Sequence, residues 1–440
     1  MSLVRIIDAV ESDAAAELRA LRRPLLLDSL ILDDRPEART VLELIADIRR
    51  RGDEAVADIT ARVDHATVTP ERVRVQPEEI EQAQRQLDPV LRRTFRQAID
   101  AVRRFQESLL TPGPQPLEID GRKLAFRVRP LRRVGVCVPA AAAPLPSSAV
   151  HCVVPAQVAG VKDIAIVAPP RHEGDIHPTI LGVAGELGVT EVYRMGGAQA
   201  VAALALGTQR VPRVDKIVGP GGMYVQLAKR FLYGMVDIDM FAATTEVLVI
   251  ADRTARAEFV AADLLAQAEH NPGSSILLTD HQPLIEQVLG ELDRQADLLS
   301  TGAAARRWLA ELSAIVRVRD MDQAVELANE IAAEHLQIET ENPRALADRI
   351  DAAGAIFLGH WSPEAAGDYV AGPSHTLPTG GTARFWSGLS ALSFLRSSSM
   401  IEYTREGLAR DVEAIDQWGR AEQLEAHARA ATIRAEDTKN

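Results

Sequence analysis

The sequence predicts an α/β protein of two Rossmann-like βαβ domains, with an N-terminal helical segment and a small C-terminal helical tail. Three observations predict it. From Arg133 to about residue 235, short apolar runs closed by Pro or Gly alternate with helical stretches, the pattern of parallel strands buried on both faces. The alternation resumes between Glu246 and Gly359. Both ends of the chain carry charged segments with helical periodicity.

Composition sets the outer limits. A chain of 440 residues exceeds one simple core, so two or more domains are expected. A net charge of -13 argues against nucleic acid or an anionic membrane as partner, since both demand a positive face. With Cys137 and Cys152 as the two cysteines, a disulfide framework and a Cys-based zinc site are excluded. No signal peptide or membrane-length apolar run is evident, so a cytoplasmic protein is expected.

In chain order, residues 1 to about 110 read mostly as helix, broken at Pro70 and at Asp88-Pro89. Val41, Leu42, Leu44, Ile45 and Ile48 form one apolar stripe; Leu91, Phe95, Ile99, Val102 and Phe105 form another. Pro112, Pro114 and Pro116 mark a linker into LAFRVRPL, an alternating strand. The strands VGVCV, DIAIVA, EVYRM and KIV follow, with helices such as AQAVAALAL and MYVQLAKRFL between them. Gly196-Gly197 and Gly219-Pro220-Gly221-Gly222 close two strands where a phosphate can meet a helix N-terminus, although no G-x-G-x-x-G fingerprint appears.

EVLVIAD (246–252) and SSILLTD (274–280) are further strands. Between them FVAADLLAQAEHNPGSS reads as an amphipathic helix with Gln267 and His270 on one face of its last turn, stopped by Asn271-Pro272-Gly273. MDQAVELANEIAAEHLQIET reads as a helix running into Glu334-His335. AGAIFLG (353–359) is a strand, followed by the long polar loop GDYVAGPSHTLPTGGTARF, a length that marks function. From Ile401 the chain returns to charged helix. The expected division is 1–32, helical; 33–133 with 245–385, the main α/β domain; 134–244, the dinucleotide domain; and 386–440, the tail.

With Gln267 and His270, the pieces EHL at 334, GDYVAGPSH at 367 and AEQLEAH at 421 resemble the histidinol dehydrogenase family. The likeness runs from about Arg133 to His427 and more loosely through the N-terminal helices. It implies a four-electron oxidation of L-histidinol through the aldehyde to L-histidine, with two NAD⁺ reduced. It places zinc ligands, for one Zn²⁺ per protomer, at Gln267, His270, Asp368 and His427, a set of oxygens and imidazoles that also suits Mn²⁺. Glu334 and His335 match the catalytic pair, His335 for the alcohol proton and Glu334 for activating water. They serve one site together if the chain leaves the helix there. Substrate contacts fall on Thr245, Gln267, His270, His335, Asp368, His375, Glu422 and His427, and dinucleotide contacts on Cys137, Gln199 and Gly222. The resemblance further implies an intertwined homodimer with shared active sites.

The chain departs from the family pattern in one cluster. The usual Tyr-Val-Pro-Gly-Gly reads Cys137-Val138-Pro139-Ala140-Ala141, and Gly-Pro-Gly-Asn reads Gly219-Pro220-Gly221-Gly222. Gly-Pro-Ser-Glu reads Ala243-Thr244-Thr245-Glu246. Singly, each site residue also has a structural reading. Gln267 and His270 suit helix caps, Asp368 a loop cap, His427 a solvated helix position, and Glu334-His335 a helix C-terminus. Two other functions stay open: oxidation of another small polar or amino alcohol, and a metal-bearing binding protein with a degenerate dinucleotide site.

Overall fold

Two parallel sheets carry the fold of this computed structural model, which describes residues 3–25, 35–111, 113–140, 143–241, 244–270 and 272–436. Pro112, Ala141, Ala243 and Asn271, singled out above, lie outside the described residues. Strands are numbered along the chain. The first sheet runs β6 (Val192–Arg194), β5 (Asp163–Ala168), β4 (Arg133–Cys137), β7 (Lys216–Val218), β8 (Asp237–Ile238). The second runs β1 (Arg5–Asp8), β11 (Ala314–Arg317), β10 (Gly273–Thr279), β9 (Thr245–Ala251), β12 (His335–Glu339), β13 (Ala355–Leu358). All pairings within both are parallel. The first sheet starts in its middle at β4, winds outward and returns to the other side; the second does the same from β9, with β1 added at its edge, giving a switch point between β4 and β7 and another between β9 and β12.

The pleat explains the second core. Val247, Val249, Leu277 and Ile315 face one way, onto the helices Ala257–Ala268, Gln282–Ala296 and Gly302–Leu312. Leu248, Ile250, Ile276, Leu278, Leu336 and Ile338 face the other way, onto Ala14–Arg22 and Met321–Ile331. The first sheet packs beneath Pro36–Arg51, Asp53–Asp64, Gly197–Leu206 and Met223–Leu232. In the predicted N-terminal stripes Val41, Leu44, Ile48, Phe95, Ile99 and Val102 are buried, while Leu42 and Phe105 are exposed.

By contacts the chain forms two units, Met1–Leu109 with Arg132–Phe394, and Leu110–Leu131 with Leu395–Asn440. The second holds an antiparallel sheet of β2 (Leu117–Ile119), β3 (Arg122–Pro130) and β14 (Leu395–Tyr403), ordered β14-β3-β2, and the helices Arg405–Ala421 and Glu425–Glu436. Among the described residues no helix is long and apolar enough to cross a membrane.

Four local expectations are corrected. Residues 5–8 are a strand, whose partner Ala314–Arg317 lies far along the chain. The chain after Ile401 stays extended to Tyr403 because β14 pairs with β3 from Leu395↔Pro130 to Tyr403↔Arg122. The helix before Glu334 ends at Ile331, where Ala332 turns left-handed (φ 48°), and His335–Glu339 is a strand. Its residues alternate: Leu336 and Ile338 enter the apolar core, so His335, Gln337 and Glu339 share the opposite, polar face. The helix bearing Gln267 stops at Ala268, which leaves His270 beyond it.

Candidate active site

The six-stranded sheet presents its polar residues at the amino ends of its strands. Thr245 opens β9 and His335 opens β12, with Glu334 immediately before it. Gln267 projects from the last turn of Ala257–Ala268 and is fully buried, whereas His270 is exposed just past it. Gly273 makes that turn possible, since a Cβ there would stand 1.9 Å from the Gln267 carbonyl oxygen. Asp368 lies on the short helix Ala365–Tyr369, and His375 on the loop that follows. Thr245, His270, Glu334, His335, Asp368 and His375 line one cavity of about 510 Å³.

A hydrogen-bond chain ties these groups. The Thr245 hydroxyl lies 2.8 Å from Gln267 Oε1 and 2.6 Å from Glu334 Oε2, and the Glu246 N–H donates to that same Glu334 oxygen at 3.0 Å. Gln267 Nε2 donates to Glu364 Oε2 at 2.7 Å and stands 3.0 Å from His335 Nδ1. Asp368 Oδ1 is 3.8 Å from His335 Nε2 and 3.7 Å from His375 Nδ1. The Nε2 atoms of His335 and His375 are buried and have no hydrogen-bond partner among the described residues. Behind His375, the buried His151 ring lies 4.5 Å away, centroid to centroid, and accepts the His375 N–H at Nδ1.

Burial sets the proton affinities. It pushes the Glu334 carboxyl well above the usual carboxylate range, against the Thr245 hydroxyl and the Glu246 amide. Thr245 has one hydrogen for two acceptors, and a protonated Glu334 completes the chain by donating to Thr245, which donates to Gln267. Burial also raises Glu364 well above the usual carboxylate range and holds the His335 imidazole below its ordinary value, so the ring is neutral near pH 7. For Asp368, burial is outweighed by His375, His335 and His270, and its carboxylate stays ionised.

Two predicted residues lie in the second unit, Glu422 at the end of Arg405–Ala421 and His427 in Glu425–Glu436, and both are exposed. Among the described residues no three His, Cys, Asp or Glu are placed to hold a metal. Gln267, His270 and Asp368 bring an amide oxygen, an imidazole and a carboxylate, the right donor kinds for Zn²⁺ and three of the four that the resemblance names. Glu364 was not anticipated; its spacing of four from Asp368 was the available signal.

Cys137, Gln199 and Gly222 all line a second cavity, of about 870 Å³, outside the carboxyl ends of β4, β5, β6 and β7 and so at a switch point. Asp64 enters it unforeseen, held by Arg171 Nε at 2.7 Å and Gln199 Nε2 at 3.2 Å. Pro220, Gly221, Gly222 and Met223 line both cavities. The carboxyl edge of one sheet thus supplies a wall to the site at the amino edge of the other.

Comparison with known proteins gives concordant matches. A family model described as histidinol dehydrogenase matches residues 32–435. The histidinol dehydrogenase of Rhodopirellula baltica is 45% identical over 446 residues, 98% of this chain and 96% of that protein. That of Bacillus subtilis is 42% identical over 426 residues, 97% of this chain and 98% of that protein. The crystal structure of histidinol dehydrogenase from Elizabethkingia anophelis matches with a TM-score of 0.92 at 33% identity, covering 100% of both chains.

Proposed function

The chain belongs to the histidinol dehydrogenase family, and from that premise we propose that it oxidises L-histidinol to L-histidine in two NAD⁺-dependent steps. The observation that carries this reading is the wall shared by the two cavities, which sets the Glu334-His335 pair across the segment 220–223 from a dinucleotide-sized space. NAD⁺ supplies the hydride acceptor there. A Zn²⁺ would be held by Gln267, His270, Asp368 and a partner protomer's copy of His427, and would supply an anchor for the substrate's imidazole and amine.

The chain's own residues then have separable tasks. His335 is neutral and handles the alcohol proton at Nε2 once the Gln267 amide turns its oxygen toward Nδ1, which moves the ring hydrogen to Nδ1 and leaves Nε2 a free acceptor. Glu334, whose burial makes it a strong base once ionised, takes a proton from the water that adds to the aldehyde. His375 borders the reacting hydroxyl, and Glu422 of the partner borders the substrate amine or ring. Residues 134–244 bind the dinucleotide, 33–133 with 245–385 carry the metal and catalytic groups, and 386–440 dock on the partner protomer of a homodimer.

The test is NADH formation from L-histidinol and NAD⁺ after chelation and after Zn²⁺ or Mn²⁺ is restored. Two NADH per histidinol, lost with the metal, is the expected result. Activity confined to other alcohols, or full activity in metal-free protein, would overturn the substrate or the metal respectively.

A further inference from the structure

Gly219, which follows β7, has both polar atoms of its backbone held by one buried ion pair. Its N–H donates to Asp239 Oδ2 at 2.7 Å, and its carbonyl accepts from Lys229 Nζ at 2.7 Å. Lys229 Nζ and Asp239 Oδ1 are 2.6 Å apart, and both side chains are wholly shielded from solvent. Asp239 Oδ1 also accepts the Met240 N–H at 2.7 Å. Lys229 comes from the helix Met223–Leu232, and Asp239 directly follows β8. The site tolerates no other residue type easily: Gly219 has φ 105°, and a Cβ would stand 2.4 Å from the Cys137 carbonyl oxygen. Two residues on, Gln226 Nε2 donates to the Gly221 carbonyl at 2.9 Å.

Removing two charges from water is costly, and it is recovered when every remaining donor and acceptor is used. Here the spare hydrogen-bonding capacity of the pair goes to the peptide of Gly219. That residue begins the segment whose next four members wall both cavities. Among the described residues no hydrogen bond from Lys229 or Asp239 reaches a metal-site or base residue, so the catalytic groups do not explain the pair.

We propose that Lys229 and Asp239 are positioning residues for the dinucleotide. By clamping the Gly219 peptide they hold segment 220–223 at the height where nicotinamide meets substrate. The inference rests on the 870 Å³ cavity being the NAD⁺ site.

The experiment pairs Lys229→Met with Asp239→Leu, apolar side chains of similar size that remove the clamp without stranding a charge. The double variant leaves the buried Gly219 N–H and carbonyl without partners, so it is expected to fold but melt a few degrees below wild type, and to bind NAD⁺ about tenfold more weakly by calorimetry. Its KM for L-histidinol should stay within about twofold, since the substrate groups are untouched. A folded double variant with wild-type NAD⁺ affinity overturns the inference. Should that variant not fold, Asp239→Asn keeps the shape but loses one acceptor, and about threefold weaker NAD⁺ binding is expected; unchanged affinity again overturns it. Hydrogen exchange on the unaltered protein is the third arm. The Gly219 amide should be strongly protected without NAD⁺, and exchange at an open-loop rate would mean there is no clamp. Failure of the wild-type chain to bind NAD⁺ while Gly219 is protected would instead remove the cavity's assignment, and the dinucleotide role with it.

Discussion

Gln267 Nε2 stands 3.0 Å from His335 Nδ1, and through this contact one amide decides which ring nitrogen carries the hydrogen. With the amide nitrogen toward the ring, Nδ1 accepts and the hydrogen sits on Nε2. A half-turn that presents the amide oxygen moves the hydrogen to Nδ1 and frees Nε2 to take a proton. Glu364, 2.7 Å from the same amide nitrogen and 3.6 Å from Nδ1, biases that choice.

Glu364 is therefore predicted to matter as a hydrogen-bond partner more than as a charge. Glu364→Leu strands a buried amide and should lower kcat about tenfold to a hundredfold, with about 1–3 kcal/mol of lost stability. Glu364→Gln still offers an oxygen to Gln267 and should stay within a few-fold of wild type. Steady-state kinetics and thermal melts of both variants decide it; equal loss in the two would mean the charge is what counts.

The polar face of β12 carries a pH-dependent cost. Burial, with Asp263's charge adding to it, pushes Glu339 up to about 8, and burial pushes Asp263 up to about 6. Gln337 Nε2 bridges them, at 2.5 Å from Asp263 and 2.9 Å from Glu339, and His360 Nδ1 lies 3.5 Å from the other Glu339 oxygen. Both folded values exceed the ordinary ones of 4.5 and 3.8, so between those values and 6 to 8 the unfolded chain has released protons the folded one retains. Stability then falls as pH rises through that window. A loss of about 1–3 kcal/mol between pH 5 and pH 8 is expected, and Glu339→Gln should flatten it. Denaturant melts at both pH values test this; an equally steep profile in the variant would remove Glu339 as its source.

Much of the architecture was legible because strands buried on both faces must be apolar throughout: DIAIVA, EVLVIA and SSILLT announce themselves. β12 did not, since His335, Gln337 and Glu339 break the apolar run, and a polar face is tolerated there because Gln267 and Asp263 meet it. β1 was hidden for a different reason: four residues become a strand through a partner more than 300 positions away. Of the residues named by the resemblance, Thr245, His270, Glu334, His335, Asp368 and His375 line one cavity. The partners at long separation, Asp64 with Arg171 and Gln267 with Glu364, left no local pattern to read.

The altered cradle gives a third prediction. A Cβ on Gly222 meets nothing within 4 Å, so Asn fits there, and Cys137 borders the same cavity. The wild-type chain should bind NAD⁺ weakly, and Cys137→Tyr with Gly222→Asn should tighten it. Each restored contact is worth about 1–3 kcal/mol, or roughly fivefold to a hundredfold in affinity. Calorimetry showing unchanged or poorer NAD⁺ binding in the double variant would sink the idea.

The last prediction concerns assembly. Glu334 belongs to the unit with both sheets, and His427 to the unit built from residues 110–131 and 395–440. If each active site of a symmetric dimer takes His427 from the partner chain, the two lesions Glu334→Gln and His427→Ala fall on different sites when placed on one chain. Put on separate chains that pair, they fall on the same site and leave the other intact. Each variant alone should be inactive. Unfolded together and allowed to reassemble at random, about half the dimers are mixed and each holds one whole site, so roughly a quarter of wild-type activity should return. A mixture that stays inactive, with mixed dimers verified by mass spectrometry, would show that His427 acts within its own chain.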